Sequence, residues 1–137
     1  MGIINDKLYV AGGRRTSGVV NKYLDFTEAA VDVYDFTSNQ WQSLDENLNI
    51  PTERAGSPVV VKDQLLVVMG GESIAQEAAH SEVEAFDTEH MKWIRLPDLV
   101  RGRHGTGATI VNGKIYIAAG CGNRGGSPEL NSIEVYK

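Results

Sequence analysis

Cysteine and long apolar runs are scarce in this sequence, and each absence excludes a class of protein. Cys121 is the single cysteine, so no disulfide can form within the chain and stability must come from packing. No apolar run approaches the roughly 20 residues of a membrane-spanning helix. The segment from Met1 to Asp6 has neither the basic start nor the apolar stretch of a secretory signal. Nothing in these 137 residues therefore directs export or membrane insertion.

Positive charge is also too sparse and too scattered to form a nucleic-acid or membrane surface. The chain has 13 basic and 18 acidic residues, which gives a formal net charge of −5. Basic residues are spread along the sequence and do not form a stripe, so we expect no binding to nucleic acid or to an anionic membrane through a charged surface. An apolar content of 42% is that of an ordinary globular protein with a packed core.

What the sequence does contain is an internal repeat. Three β-rich runs end in small residues, and they occupy Lys7 to Gly13, Leu65 to Gly71 and Lys114 to Gly120. Their final glycines are 58 and 49 positions apart. A period of about 50 residues is typical of an array of similar supersecondary units packed side by side.

Three further landmarks recur in the same order. An alternating apolar and polar segment, as in a strand with one buried face, follows each run. These segments occupy residues 31–35, 83–87 and 133–137. Trp41 and Trp93 each follow the aromatic residue of their segment by seven positions, and Arg54 and Arg103 each precede the last glycine of their run by 17 positions. Each period therefore predicts four short antiparallel strands, designated a to d.

Strand boundaries are marked by turn residues. Asn112-Gly113 separates strands a and b of the third repeat, and this dipeptide favours a two-residue hairpin turn because both positions need a positive φ. Asn5-Asp6 stands at the matching place in the first repeat, which makes Ile3-Ile4 the stump of a missing strand a. The sequence thus predicts an all-β chain with ten strands, three in the first sheet, four in the second and three in the third.

The combination of paired glycines, Tyr34-Asp35, Trp41 and Arg54 resembles the Kelch repeat, and the resemblance covers essentially the whole chain. It implies a segment of a Kelch-type β-propeller with three blades, of which the first and last are incomplete. The implied blades lie at about 1–46, 52–97 and 101–137. The sequence departs from the family pattern only mildly, with Ala119 for a glycine, Phe86 for tyrosine and Lys137 for aspartate.

Three repeats are too few to close a propeller, which needs about four to eight blades. We therefore expect the outer faces of the two terminal blades to be apolar and uncovered, a state that invites partner blades. Those blades would come either from a longer chain of which this is a fragment or from other copies of this chain. The incomplete blade at each end favours the fragment.

The segment from Gly120 to Gly125 matches the glycine pattern of dinucleotide-binding loops, but its context does not fit. Such a loop must open a helix whose N-terminus holds the pyrophosphate. Gly126, Ser127 and Pro128 follow instead, before another predicted strand. We interpret the segment as a glycine-rich loop between strands b and c, with Cys121 as a small loop residue, and predict no nucleotide or other cofactor.

Metal and nucleophile patterns do not stand out either. His80, His90 and His104 lack partners at the spacing of a metal site, and no Gly-x-Ser-x-Gly elbow is present. The segments 103–107 and 128–132 resemble the closing blade of microbial galactose-oxidase-like Kelch proteins, a likeness that slightly favours an extracytoplasmic location. Kelch adaptors of ubiquitin ligases are intracellular, so the sequence leaves the location open. The galactose-oxidase-like resemblance implies a copper held by Tyr and His, with one Tyr crosslinked to Cys. Tyr116 does not suit the role, because it is a repeat landmark within strand b.

The predicted functional surface is the loop face, where the b–c and d–a loops gather at one mouth of the propeller channel. Charged groups of both signs on such a concave mouth can orient a polar ligand or a partner peptide. The candidate binding residues are Arg14, Arg15, Arg54, Glu72, Ser73, Arg103, His104, Asn123 and Arg124. A structural role, tying carboxylate or carbonyl neighbours within a blade, is the competing interpretation for Arg54 and Arg103.

The first b–c loop is longer than the second and contains Tyr23-Leu24-Asp25-Phe26, which either contacts a partner or packs the loop down. The leading functional hypothesis is a noncatalytic scaffold whose loop face recognises a protein or a polar ligand such as a glycan. The alternative is a galactose-oxidase-like or sugar-isomerising enzyme whose catalytic residues lie mostly on other blades.

Overall fold

The computed structural model describes residues 1–15 and 26–136, which form three antiparallel β-sheets in chain order. Sheet 1 contains β1 (Gly2–Ile4), β2 (Lys7–Ala11), β3 (Val31–Asp35) and β4 (Gln40–Ser43). Sheet 2 contains β5 (Val59–Lys62), β6 (Leu65–Met69), β7 (Val83–Asp87) and β8 (Lys92–Leu96). Sheet 3 contains β9 (Ala108–Val111), β10 (Lys114–Ala118) and β11 (Ile133–Tyr136). A 3₁₀ turn spans Glu46–Leu48, and none of the helical residues described forms a segment long enough to cross a membrane. The all-β prediction is confirmed.

Sheet 1 is complete, which corrects the expectation that it lacks strand a. Gly2, Ile3 and Ile4 pair with β2 in a regular antiparallel register, so the described chain has eleven strands and not ten. Asn5 and Asp6 both adopt a positive φ, 49° and 56°, and turn the chain back onto β2. Ile4 is buried in the core, so the expected stump is an edge strand stabilised by packing. Sheet 3 has three strands, as expected.

The small residues that end each strand b share one backbone conformation. Gly12 and Gly13 have φ of 67° and 119°, and Gly70 and Gly71 have φ of 58° and 114°. A Cβ on Gly12 would lie 2.9 Å from the carbonyl oxygen of Arg54, which belongs to the segment leading into sheet 2. Paired glycines therefore let the next blade's leading segment approach the backbone closely.

The core lies between consecutive sheets in two separate clusters. The first joins sheets 1 and 2, and its buried members are Ile4, Tyr9, Val31, Val33, Ile50, Leu66, Val68 and Phe86. The second joins sheets 2 and 3, and its buried members are Val60, Val67, Met69, Val83, Ala85, Leu99, Ile115 and Ile117. Sheet 2 is covered on both faces, which explains why seven of the ten residues of β6 and β7 are both apolar and buried.

The two tryptophans show what a neighbouring blade contributes. Trp41 packs on Tyr34 and Trp93 packs on Phe86 with the same ring separation, 5.2 Å. Trp93 also donates a hydrogen bond from Nε1 to the carbonyl oxygen of Leu48 (2.8 Å) and packs against the first core cluster. Trp41 is 59% exposed. Equivalent positions within their blades thus end in different environments, because sheet 1 covers Trp93 of sheet 2, whereas none of the described residues forms a sheet before sheet 1.

Both terminal sheets leave apolar side chains uncovered, as expected. The exposed large apolar residues include Ile3, Phe36 and Trp41 on sheet 1 and Val111, Ile133 and Val135 on sheet 3. These outer faces are the places where a further blade would pack.

Candidate functional site

Arg54 lies inside the protein, not on the loop face. Its side chain is fully buried, and every guanidinium nitrogen has a partner. Nε donates to the carbonyl oxygen of Gly70 (2.6 Å), Nη1 lies 2.5 Å from Oε2 of Glu84, and Nη2 donates to the carbonyl oxygen of Val68 (3.3 Å). The structural interpretation of Arg54 is the one its geometry favours, because the side chain is fully buried and bonded within its own blade.

Arg103 repeats this arrangement in sheet 3. Its Nη1 donates to the carbonyl oxygens of Ala119 (3.0 Å) and Ser132 (3.1 Å), and Nη2 lies 3.6 Å from Oε2 of Glu134. Arg103 is only 1% exposed. In its own blade, each arginine links a carbonyl oxygen at the end of strand b to the carboxylate of strand c. Their place in the sequence, 17 residues before the final glycine, is therefore explained by blade structure and not by contact with a ligand.

The carboxylate of Glu72 brings together loops from all three blades. Its Oε2 accepts a hydrogen bond from the backbone N–H of Gly125 (2.8 Å) and lies 3.5 Å from Nε2 of His104, while Oε1 lies 3.4 Å from Nη1 of Arg14. His104 donates from Nε2 to the carbonyl oxygen of Asn123 (2.8 Å). Four of the predicted site residues thus converge here, as their placement in the loops implied.

The central residues of this cluster are buried beneath the loop face. Glu72 and His104 are both 6% exposed, so their contacts connect neighbouring blades beneath the surface. Arg14 is exposed and half of its side chain remains accessible to solvent. We define the loop-face cluster as Arg14, Glu72, His104 and Asn123.

Ser73, predicted as a ligand contact, belongs to a buried relay that sequence reasoning missed. His80 accepts a hydrogen bond at Nε2 from the Ser73 hydroxyl (2.7 Å) and donates from Nδ1 to Oε2 of Glu82 (3.0 Å). The order serine, histidine, carboxylate is that of a catalytic triad. Ser73 and His80 are only 3% and 2% exposed, so a substrate cannot reach the hydroxyl. The relay therefore holds the second b–c loop in place.

The environment of Glu82 fits this role. Partial burial would raise the pKa of its carboxyl group, but hydrogen bonds from its own backbone N–H and from His80 outweigh that effect and hold the pKa below its ordinary value. The carboxylate stays ionised and keeps Nδ1 of His80 as the proton donor. In the sequence, only the spacing of Ser73, His80 and Glu82 could have indicated this relay, and that spacing does not match a known local motif.

Two of the remaining candidates are exposed. Arg15 forms an ion pair with Glu28 while three quarters of its side chain stays accessible. Arg124 donates from Nη1 to the carbonyl oxygen of Ile74 (3.2 Å), and Ile74 is itself 55% exposed. With Arg14, these side chains are accessible on the loop face. Arg101, which the sequence did not single out, adds a fourth exposed guanidinium 3.5 Å from Oδ1 of Asn123.

The predicted contact segment of the first loop lies mostly outside the described residues. Tyr23, Leu24 and Asp25 are not described, and Phe26 is 37% exposed. The choice between partner contact and loop packing therefore stays a prediction.

The glycine-rich loop of sheet 3 does not open a helix. Cys121 forms short β-bridges with His104 on one side and Glu129 on the other. The next regular element is β11, so the pyrophosphate-binding arrangement does not form at this loop. Within residues 1–15 and 26–136, no three His, Cys, Asp or Glu side chains come together as a metal site would require.

Comparison with known proteins agrees with this architecture. The profile of the KLHDC2/KLHL20/DRC7 Kelch-repeats domain matches residues 1–120. Kelch-like protein 40 of Xenopus laevis is 30% identical over 136 residues, which is 99% of this chain and 20% of that protein. An F-box/kelch-repeat protein of Arabidopsis thaliana is 34% identical over 73 residues, covering 53% of this chain and 19% of that protein.

An enzyme is also among the similar proteins. N-acetylneuraminate epimerase 1 of Escherichia coli is 27% identical over 106 residues, which is 75% of this chain and 28% of that protein. The chain thus spans less than a third of the length of each of these curated relatives. The Kelch-repeats profile matches residues 1–120, which is most of the chain, and this chain belongs to the Kelch-repeat family.

Proposed function

We propose that this chain is part of a noncatalytic interaction scaffold that binds a protein partner through its loop face. The observation that carries the proposal is the meeting of loops from three blades at Glu72. That junction is rigid, because the Glu72 carboxylate is buried and bonded on three sides. Exposed binding groups around a rigid centre lose little conformational entropy when a partner docks.

The accessible groups favour a partner with an acidic segment. Arg14, Arg15, Arg101 and Arg124 are the exposed guanidinium groups of this surface. Arginine presents a planar fork of donors that fits carboxylates, and it is enriched in protein interfaces. The exposed side chain of Ile74 beside Arg124 adds an apolar contact. A folded protein supplies both acidic and apolar groups, whereas a neutral glycan supplies no acidic group.

Site-specific photocrosslinking tests the proposal. A photoreactive amino acid placed at Arg15 or at Ile74 should capture a discrete protein partner in cells, and the same group at Lys114 should not. Lys114 is a suitable control because it begins β10 at the opposite end of the blades. Charge reversal by Arg124→Glu should weaken the adduct, while Lys114→Glu should leave it unchanged. Equal adducts from both ends of the blades would refute the proposal.

The competing function is a sugar-isomerising enzyme, for which the similarity to N-acetylneuraminate epimerase 1 is the specific support. An assay of catalytic turnover distinguishes the two candidate functions. Epimerisation of N-acetylneuraminate by a protein containing this chain, lost on charge reversal at Arg124, would favour the enzyme over the scaffold.

A further inference from the structure

A polar recess of about 410 Å³ opens between sheets 1 and 2. It lies at the a–b and c–d turns, which are at the end of the blades opposite the loop face. Both sheets that form its walls have all four strands. The lining residues are Asn5, Lys7, Tyr9, Gln64, Thr88 and Glu89. We call this site the inter-blade recess.

Hydrogen bonds across the blade junction hold the rim of the inter-blade recess. Asn5 donates from Nδ2 to Oε1 of Gln64 (2.8 Å), which joins the a–b turns of the two sheets. Thr88 donates from its hydroxyl to the carbonyl oxygen of Gln64 (3.0 Å), which joins the c–d turn of sheet 2 to the a–b turn of the same sheet. A rim that is already ordered loses little conformational entropy when a ligand enters.

Tyr9 brings a largely buried hydroxyl to the recess. Its ring belongs to the first core cluster and packs on Phe86, with the ring centres 6.1 Å apart, and the residue is only 7% exposed. None of the described groups forms a hydrogen bond with the hydroxyl, yet no fully buried polar side-chain atom among them lacks a partner. The hydroxyl therefore opens into the recess. Because tyrosine hydroxyls in such positions usually have a partner, a ligand group can supply it.

The two charged groups of the recess come from opposite walls. Lys7 begins β2 in sheet 1, and Glu89 lies in the c–d turn of sheet 2. The ammonium group of Lys7 is 3.7 Å from Oδ2 of Asp35, but these two side chains are 46% and 33% exposed. An exposed pair of this kind contributes little, so it competes weakly with a ligand for the ammonium group.

The second blade junction shows that blades pack together without these groups. Leu65 and Val67 are the first and third residues of β6, as Lys7 and Tyr9 are of β2. They line a recess of about 210 Å³ between sheets 2 and 3 whose lining is mostly apolar. A polar recess with charges on both walls is therefore not a requirement of blade packing.

We propose that the inter-blade recess binds a small zwitterion, a free amino acid or a short peptide with both termini charged. The carboxylate of the ligand meets Lys7, and its ammonium group meets Glu89. The hydroxyl of Tyr9 and the amides of Asn5 and Gln64 are available to the polar groups between the two charges. This site lies at the end of the blades opposite the loop face, and it stands or falls independently of the function proposed above.

Other classes of ligand suit the recess less well. An anion without a positive group would face the carboxylate of Glu89, and a cation without a negative group would face the ammonium group of Lys7. An apolar ligand would take the polar lining out of water without replacing its hydrogen bonds, which is costly. Only a ligand with both charges compensates both walls at once.

Glycine, diglycine and triglycine are suitable probes, because they are zwitterions that differ in the distance between their charges. Each is titrated into the ¹⁵N-labelled full chain and followed through the backbone amide shifts in NMR spectra. We expect at least one of them to cause saturable shifts at Lys7, Gln64 and Glu89. The probe that binds most tightly reports the distance between the two charged groups of the site.

Matched probes test whether both charges are needed. The N-acetylated form of the strongest binder lacks the ammonium group, and its C-terminal amide lacks the carboxylate. Each should bind at least about fivefold more weakly, because one charge-assisted hydrogen bond is lost. Glucose, a neutral polar molecule, should cause no saturable shifts at these amides.

Variants of the chain test the receptor side. Lys7→Gln should weaken binding at least about fivefold by removing the ammonium group, and Tyr9→Phe should weaken it about threefold by removing only the hydroxyl. Lys114→Gln and Tyr116→Phe are the matched controls, because these residues hold the same positions in β10 and do not line the recess. Circular dichroism establishes that the variants fold. Should Tyr9→Phe unfold the chain, the capped probes still test the site on the unaltered protein.

Three results would overturn the proposal. The first is that none of the three zwitterions shifts the amides around the recess. The second is equal binding of the capped probes or of glucose, which would remove the basis for a zwitterion. The third is an affinity that a folded Lys7→Gln variant leaves unchanged.

Discussion

Arg54 and Glu84 form a buried ion pair across 30 positions of sequence, with Nη1 2.5 Å from Oε2. Thr52 adds a hydrogen bond from its hydroxyl to Oε1 of the same carboxylate (2.9 Å). The pair therefore holds the leading segment of the second blade against strand c. Because the equivalent pair in the third blade is longer and less buried, the two blades offer a comparison of one motif in two environments.

Removing the buried guanidinium should destabilise the protein strongly. Arg54→Gln removes the buried cation of Glu84 and leaves only the half-exposed Arg95, whose Nη1 lies 3.8 Å from Oε1. We expect a loss of about 3–5 kcal/mol in the free energy of unfolding. Arg103→Gln should cost less, because Glu134 keeps more solvent contact. Urea denaturation followed by circular dichroism measures both. The double variant Arg54→Gln with Glu84→Gln should recover part of the loss, and no recovery would argue against the pair as the cause.

Gly70 should not tolerate a side chain. A Cβ there would clash with the carbonyl oxygen of Arg103 and would hold an L-residue at a φ of +58°. We expect Gly70→Ala to lower the free energy of unfolding by more than about 2 kcal/mol, since the positive φ alone costs 1–2 kcal/mol. Gly107→Ala is the control, because nothing lies within 4 Å of a Cβ at that position. Similar effects of the two substitutions in thermal unfolding would contradict the close approach.

The c–d turn of the second blade should lose stability in acid. Hydrogen bonds to the Asp87 carboxylate from the backbone of His90, then from its side chain and from the backbone of Glu89, outweigh desolvation and lower the pKa of Asp87. Its contribution to stability is therefore complete above the unfolded pKa of about 3.9 and disappears as the pH falls through the lower folded value.

Asp87→Asn measures this contribution. The stability difference between the variant and the parent should be present at neutral pH and should vanish in strong acid. The side-chain carbonyl of the introduced Asn also accepts hydrogen bonds, so the charge is what changes. An Asp87 carboxyl that titrates by NMR at its ordinary pKa would contradict the prediction.

Removal of the Ser73 hydroxyl from the buried relay should destabilise the protein. Ser73→Ala removes the donor that Nε2 of His80 needs, and we expect a loss of about 1–3 kcal/mol, the usual cost of an unsatisfied buried polar group. Ser127→Ala is a matched control, because Ser127 is exposed on the third b–c loop. Faster proteolysis within residues 72–82 of the Ser73→Ala variant would locate the loosening in the second b–c loop.

Much of the architecture could be predicted from the chain alone. Strands b and c of every blade follow from alternation and paired glycines, and the 17-residue offset of Arg54 and Arg103 marks both as repeat features. The one missed strand, β1, has only three residues, and its pairing with β2 depends on the burial of Ile4 between sheets. No local pattern carries that information.

The candidate site was less predictable. The convergence of Arg14, Glu72 and His104 follows from their places in loops of one face, but their burial does not. Ser73 and Glu72 are adjacent in sequence, yet one bonds to His80 and the other to Gly125. Side chains of neighbouring loop residues point in different directions, and only the packing of three blades decides what each contacts.

The amino-acid sequence alone determined the repeat, the strand order and the family, because these follow from periodic patterns within each blade. The tertiary structure decided which polar side chains remain accessible. Arg54 and Arg124 have the same chemistry, but Arg54 is buried between a strand end and a carboxylate, while Arg124 stays at the surface. Exposure depends on what a distant part of the chain covers, and that is a property of blades packed together.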